Sequence, residues 1–174
     1  MTIFKKLTIV LFVICFLSTN LAADSAHFID FSKVLNESTA GAKAQKFLKN
    51  KFVSDSKKFR NLEKKLLEEE REIIAKKKVL NKEEYQAKVG ELRKKVAKLQ
   101  KDKQKSLSDI AKLRASAKNQ LLEKLKPILR TYMEGRKIRL VIDKKEVLYG
   151  DQNLEITSDI ISLLNKEVKE LNLK

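Results

Sequence analysis

Residues 73–99 read IIAKKKVLNKEEYQAKVGELRKKVAKL, and their pattern decides the fold. From Tyr85 onward, Val89, Leu92, Val96 and Leu99 recur at steps of three and four, the period of a helical seam. The seam runs on past two polar interruptions, Lys103 and Ser106, to Ile110, Leu113, Ala117 and Leu121. Just before it stands Asn81-Lys82-Glu83-Glu84, where Asn followed three residues later by Glu has the spacing of an N-cap and its capping-box partner. Before this break the same period continues more weakly through Leu48, Phe52, Asp55, Phe59, Leu62, Leu66, Glu69, Ile73, Lys76 and Leu80. Two antiparallel helices are predicted, at about 42–79 and 82–134, folded back at a tip near 79–82. A single continuous helix, as in a rod, is the competing reading. At 1.5 Å per residue such an arm reaches roughly 55–60 Å. The polar seam positions Asp55, Glu69, Lys76, Lys103 and Ser106 weaken the zipper, which predicts arms that flex.

Charge follows the same division. Residues 42–134 hold 28 Lys and Arg against 13 Asp and Glu, a net of +15, whereas 24–41 carry −2 and 135–174 carry +1. A basic field confined to one zone exceeds what solubility requires and would attract acidic partners.

The first residues predict export. Lys5 and Lys6 precede an apolar run from Leu7 to Leu17, too short for the roughly 20 residues of a membrane span. Ser18, Thr19 and Asn20 follow, then Leu21-Ala22-Ala23 with small residues at the cut, the arrangement of a secretory signal peptide, residues 1–23, cut after Ala23. A retained membrane anchor is the alternative. Loss of this segment removes Cys15, the one cysteine, and with it any disulfide or thiol chemistry. One histidine, His27, no tryptophan and no glycine-rich phosphate loop leave no basis for catalysis, a metal site or a cofactor. Neighbouring carboxylates on so charged a helix are read as solvated surface.

The flanks, 24–41 and 135–174, read as a β-containing body that joins copies of the chain. In His27-Phe28-Ile29-Asp30-Phe31 a strand would put Ile29 and Phe31 on one face, and Ile138, Leu140 and Ile142 alternate likewise. A turn at Asp143–Glu146 would lead into Val147-Leu148-Tyr149 as a hairpin. The last segment predicts an amphipathic helix with Ile160, Ile161, Leu164, Val168 and Leu171 inward. So small a head buries too little surface to stand alone, and association through its strands (Ile29, Phe31, Ile138, Leu140, Ile142, Val147 and Tyr149) is expected. The fold class is mainly α with a small β body (α+β).

The flanks also carry a resemblance. Phe28-Ile29-Asp30-Phe31-Ser32-Lys33-Val34-Leu35-Asn36-Glu37-Ser38, Ala40-Gly41-Ala42-Lys43-Ala44 and Phe52 form one block, and Leu140-Val141-Ile142-Asp143, Val147-Leu148-Tyr149 and Leu154–Ile161 form a second. In this order, around a helical hairpin and behind a signal peptide, they make the chain similar to the Skp/OmpH family of periplasmic chaperones over essentially the whole mature length. The resemblance implies a homotrimer with a central β body and three hairpin arms around a cavity. It also implies ATP-independent holding of unfolded outer-membrane β-barrel proteins. Two departures stand out: Gly135 lies about two residues before the glycine often found ahead of the second strand, and Pro127 falls inside the return helix, where a kink near Glu123–Pro127 is expected.

Holding an unfolded chain calls for many weak contacts. Phe47, Phe52, Phe59, Ile74 and Tyr85 are the candidates for apolar contact, although seam closure is the competing fate of each. Lys76, Lys77, Lys78 and Lys82 at the tip would add charge, and contact with an anionic membrane surface is an accessory expectation. The rival class is a basic protein binding nucleic acid or another anionic surface. Export, the lack of stacking aromatics and the excess of Lys over Arg argue against specific nucleic-acid binding.

Overall fold

Asp30 is where the chain leaves its first strand, in the computed structural model, which describes residues 26–173. The expected signal peptide lies outside the described residues. β1 (His27–Ile29) ends at Asp30, whose carboxylate accepts from Lys33 N at 2.8 Å and so caps α1 (Phe31–Glu37). Phe31 is therefore a helical residue, a correction to the strand expected through position 31. An acidic side chain satisfying a free first-turn N–H outweighs a short alternation of apolar residues. Ser38 then ends α1 by donating its N–H to Val34 O, and its hydroxyl accepts from Gly41 N at 3.2 Å to start α2 (Thr39–Ala75). Gly41 is required for room: a Cβ there would lie 2.1 Å from Leu35 O.

α2 gives way to a 3₁₀ turn at Lys76–Lys78, and the chain reverses before α3 (Lys82–Arg136). The Asn81 side chain accepts from Glu84 N at 2.8 Å while the Glu84 carboxylate accepts from Asn81 N at 3.4 Å, which forms the predicted capping box. With 37 and 55 residues, the two helices are about 55 and 80 Å long. α3 runs on through Pro127. It ends at Lys137, which takes the left-handed conformation (φ 56°), with Ile138 N donating to Met133 O at 2.9 Å. Left-handed C-caps favour glycine. Gly135 stands two residues too early to supply it.

β2 (Val141–Asp143) pairs with β1 in parallel, Phe28 opposite Ile142. Parallel neighbours require a crossover connection, and here the whole helical hairpin is the crossover. The hairpin expected between 138–142 and 147–149 does not form. Residues Lys144–Glu146 make a 3₁₀ turn started by Asp143, whose carboxylate accepts from Lys145 N, and the chain leaves the sheet. On the other side of β1, Phe28 forms a parallel bridge with Glu155, and Ile156 N donates to Phe28 O at 3.0 Å. α4 (Thr157–Glu167) follows, with Ile160 and Leu164 buried. Thr157, also buried, ties the layers: its hydroxyl accepts from Asp30 N and donates to the Glu155 carboxylate, both at 2.9 Å.

One core joins body and arm. Ile29, Val34, Ile138, Ile156, Ile160 and Leu164 pack with Leu121, Leu125, Ile128 and Tyr132 of α3. The last turns of α3 thus supply what the short strands cannot.

Candidate functional site

Along the arm, seam and surface divide the apolar residues unevenly. Leu48, Ile73, Leu99, Ile110 and Ala117 are buried between α2 and α3, as helical spacing requires. Phe47, Phe52 and Ile74 stand 45–58 % exposed on the outside, and Leu67 and Leu107 join them. Phe59 and Tyr85 are half-buried, so of the five apolar candidates two lie partly in the seam and three face solvent. Leu66, Leu67, Leu92, Val96 and Leu99 line an open groove of about 650 Å³ along one side of the hairpin.

Four of the five polar seam residues are matched across the hairpin. Ser106 donates to Asp55 Oδ2 at 2.7 Å, Lys95 meets Glu69 at 2.6 Å, and Lys103 pairs with Glu63. The Ser106 hydroxyl holds the Asp55 carboxyl below its ordinary range, burial opposes this, and Lys51 at 3.2 Å adds to the lowering. The bond to Glu69 raises the Lys95 ammonium. Glu63 and Lys95 were not singled out from the sequence, because helical period selects apolar positions and these two are charged. Their signal was the antiparallel register, read loosely: each stands within about five residues of its partner's distance from the tip.

At the tip Lys76, Lys77, Lys78 and Lys82 are exposed. Lys77 Nζ lies 5.9 Å from the centre of the Tyr85 ring, and Lys76 reaches Glu72 at 4.0 Å. The tip is a solvated cluster of positive charge around the exposed Val79.

The seven association candidates separate in space. Ile29 and Ile138 are consumed by the protomer's own core, and Phe31 packs against that core from α1. Ile142 and Val147 are half-buried, whereas Leu140 and Tyr149 are exposed, as is Leu148 between Val147 and Tyr149. Tyr149, Leu148 and Val147 border a cleft with Phe28 and Lys144 beside the sheet. Lys144 reaches Glu155 at 2.7 Å; that bond chiefly lowers the Glu155 carboxyl and raises the lysine.

A second polar constellation escaped sequence reasoning. Tyr132 donates its hydroxyl to Asp159 Oδ2 at 2.6 Å, Arg136 meets the same oxygen at 3.3 Å, and the guanidinium lies 4.6 Å from the Tyr132 ring centre. Burial, then the bond to Asp159, pushes the phenol up to about 12. These three residues fasten α4 to α3. Among the described residues no group of His, Cys, Asp and Glu could hold a metal, and no helix is long and apolar enough to cross a membrane.

A small body built on the N- and C-terminal segments, with a basic helical hairpin inserted between its parallel strands, is matched over residues 26–164 by the model of the OmpH-like outer membrane protein family. The chain belongs to the OmpH-like family. Its fold is that of an OmpH-like chain from Caulobacter crescentus CB15 seen by crystallography: the TM-score is 0.78 at 16% identity, over 84% of this chain and 87% of that one. No curated protein matches the sequence. The family is not enzymatic, and this OmpH-like protein is not an enzyme.

Proposed function

We propose that this OmpH-like protein is an ATP-independent periplasmic holdase, which binds unfolded outer-membrane β-barrel proteins and keeps them from aggregating on their way to the outer membrane. The family and the Caulobacter neighbour, provisionally assigned as an outer membrane chaperone, support the chaperone role. One observation of this chain carries the reading further. The arm closes on paired polar residues while Phe47, Phe52, Leu67 and Ile74 stay in solvent amid a zone of net +15. Spread along the arm rather than gathered in one patch, these side chains offer separate, weak contacts. Long-range attraction by lysines followed by weak apolar contact suits an acidic, unfolded chain.

The same reading makes the protein a homotrimer, exported by a signal peptide cut after Ala23. Leu140, Leu148 and Tyr149, exposed beside a sheet of two three-residue strands, support association of the body. An open sheet edge invites pairing with another chain. The arms would then surround a common cavity, and the lysines of the tip would face the anionic membrane surface.

A denatured β-barrel protein is diluted into buffer with the mature chain while light scattering is followed against stoichiometry and salt. Aggregation is suppressed at one client per three chains, and less well as salt rises. Scattering that is unchanged at every ratio overturns the holdase.

A further inference from the structure

Beyond α4 the chain is not helical, and its tail crosses the base of the arm. Val168 is buried, Leu171 packs against the core, and Leu171, Asn172 and Leu173 alternate half-buried, exposed and half-buried, the period of an extended strand. The backbone of this segment is gripped by a side chain of the arm. Gln120 of α3 accepts from Asn172 N at 2.9 Å through Oε1 and donates to Asn172 O at 2.6 Å through Nε2. Nε2 also donates to Ser116 Oγ at 3.0 Å, which orients the amide. Gln120 thus pairs with the backbone of residue 172 as a neighbouring strand would, and this pairing is indifferent to the side chain at that position.

The seat is only partly filled. Between the tail and Lys43, Ala44 and Phe47 of α2 lies an open cleft of about 570 Å³, with Phe47 half-exposed above the buried Ala44. A seat that grips backbone and takes apolar side chains at every second residue selects extended conformation and alternation, not sequence. Membrane β-strands have that pattern, apolar on one side and polar on the other. A segment with few buried groups belongs to the least stable part of a fold.

We infer that the Gln120 seat is a binding site for extended, alternately apolar segments of the client, and that residues 170–173 occupy it in their absence as a displaceable stand-in. This rests on the holdase reading and names one place where the client is held. Release of the tail uncovers the Gln120 amide and widens the cleft beside Phe47 at once.

The probes are two fluorescent peptides: residues 168–174 of this chain, and a ten-residue segment of alternating apolar and polar residues of the membrane-strand type. Binding is read by anisotropy to the mature chain, to a chain ending at Lys169, and to the full-length double variant L171D/L173D, which frees the seat if truncation disturbs folding. Both peptides should bind at least tenfold more tightly to the last two than to the intact chain. Q120A in the chain ending at Lys169 should abolish that gain. A strand-type peptide with its apolar residues gathered in one block should bind at least tenfold more weakly. Equal binding to all chains, or a gain that survives Q120A, overturns the inference. So does binding of the tail peptide alone, which would make the seat specific to the tail of this chain or of a second copy. Loss of the peptide result with aggregation still suppressed removes this site and leaves the holdase standing; loss of suppression alone removes the holdase.

Discussion

Lys137 occupies a backbone position that its own side chain opposes. Left-handed φ costs an L-residue roughly 1–2 kcal/mol, and glycine avoids most of it. K137G should therefore raise stability by about 1 kcal/mol, seen as a higher denaturant midpoint with unchanged slope. Gly41 is the opposite case, since its φ is ordinary and the constraint is the neighbouring carbonyl of Leu35. G41A should cost about 2–3 kcal/mol and loosen the corner between α1 and α2, measured by the same denaturation. Tyr132 offers a third test. With its phenol pushed up to about 12, the folded chain keeps a proton that the unfolded chain releases near pH 10. The stability this supplies is complete below about pH 10 and is lost as pH rises through about 12. Y132F removes the bond to Asp159, should cost about 1.5–3 kcal/mol, and should flatten that alkaline loss in melts between pH 9 and 12.

At the scale of the element, the arm is a hairpin joined across its seam by polar pairs as well as by apolar contacts. Asp55 with Ser106, Glu63 with Lys103 and Glu69 with Lys95 bridge α2 and α3 in the observed alignment. A slip of α2 against α3 would separate these pairs. The seam residues read as simple weaknesses thus also join the two helices, while leaving less apolar area to resist opening. Because the folded state lowers the Asp55 carboxyl, its contribution is present above the ordinary Asp range near pH 4 and is lost as pH falls through the lowered value. S106A removes the largest cause of the lowering. Hydrogen exchange of the mid-arm amides should show acid opening at higher pH in S106A than in the parent, and about 1 kcal/mol less protection at neutral pH.

For the whole molecule, the parallel pairing of β1 with β2 brings His27–Ile29 and Val141–Asp143 into one body, and the helical hairpin between them projects as the arm. The body's core depends on Leu121, Leu125, Ile128 and Tyr132, so an arm cut away at its base would take the core with it. The proposed trimer would cover Leu148 and Tyr149. The double variant L148D/Y149D should sediment as a single chain of unchanged helical content, and it should hold clients less well because three arms no longer share one cavity. Sedimentation velocity and circular dichroism decide this together.

The sequence by itself determined the features that depend on neighbours a few residues apart. The seam of α3, the Asn81–Glu84 cap, the buried Ile160 and Leu164 of α4 and the concentration of charge in 42–134 all follow from local spacing or counting. Even there, local signals competed: alternation through Phe31 yielded to the cap that Asp30 makes, and the strand pattern at Val147–Tyr149 yielded to the turn started by Asp143. Only the tertiary structure decided what joins distant positions: His27–Ile29 lying parallel to Val141–Asp143, Tyr132 bonding Asp159, and Gln120 holding Asn172. The physical reason is that a hydrogen bond or ion pair between remote residues leaves no period along the chain. Its partners are chosen by which surfaces packing brings together, and the same packing left Phe47, Phe52 and Ile74 in solvent while it buried Ile73.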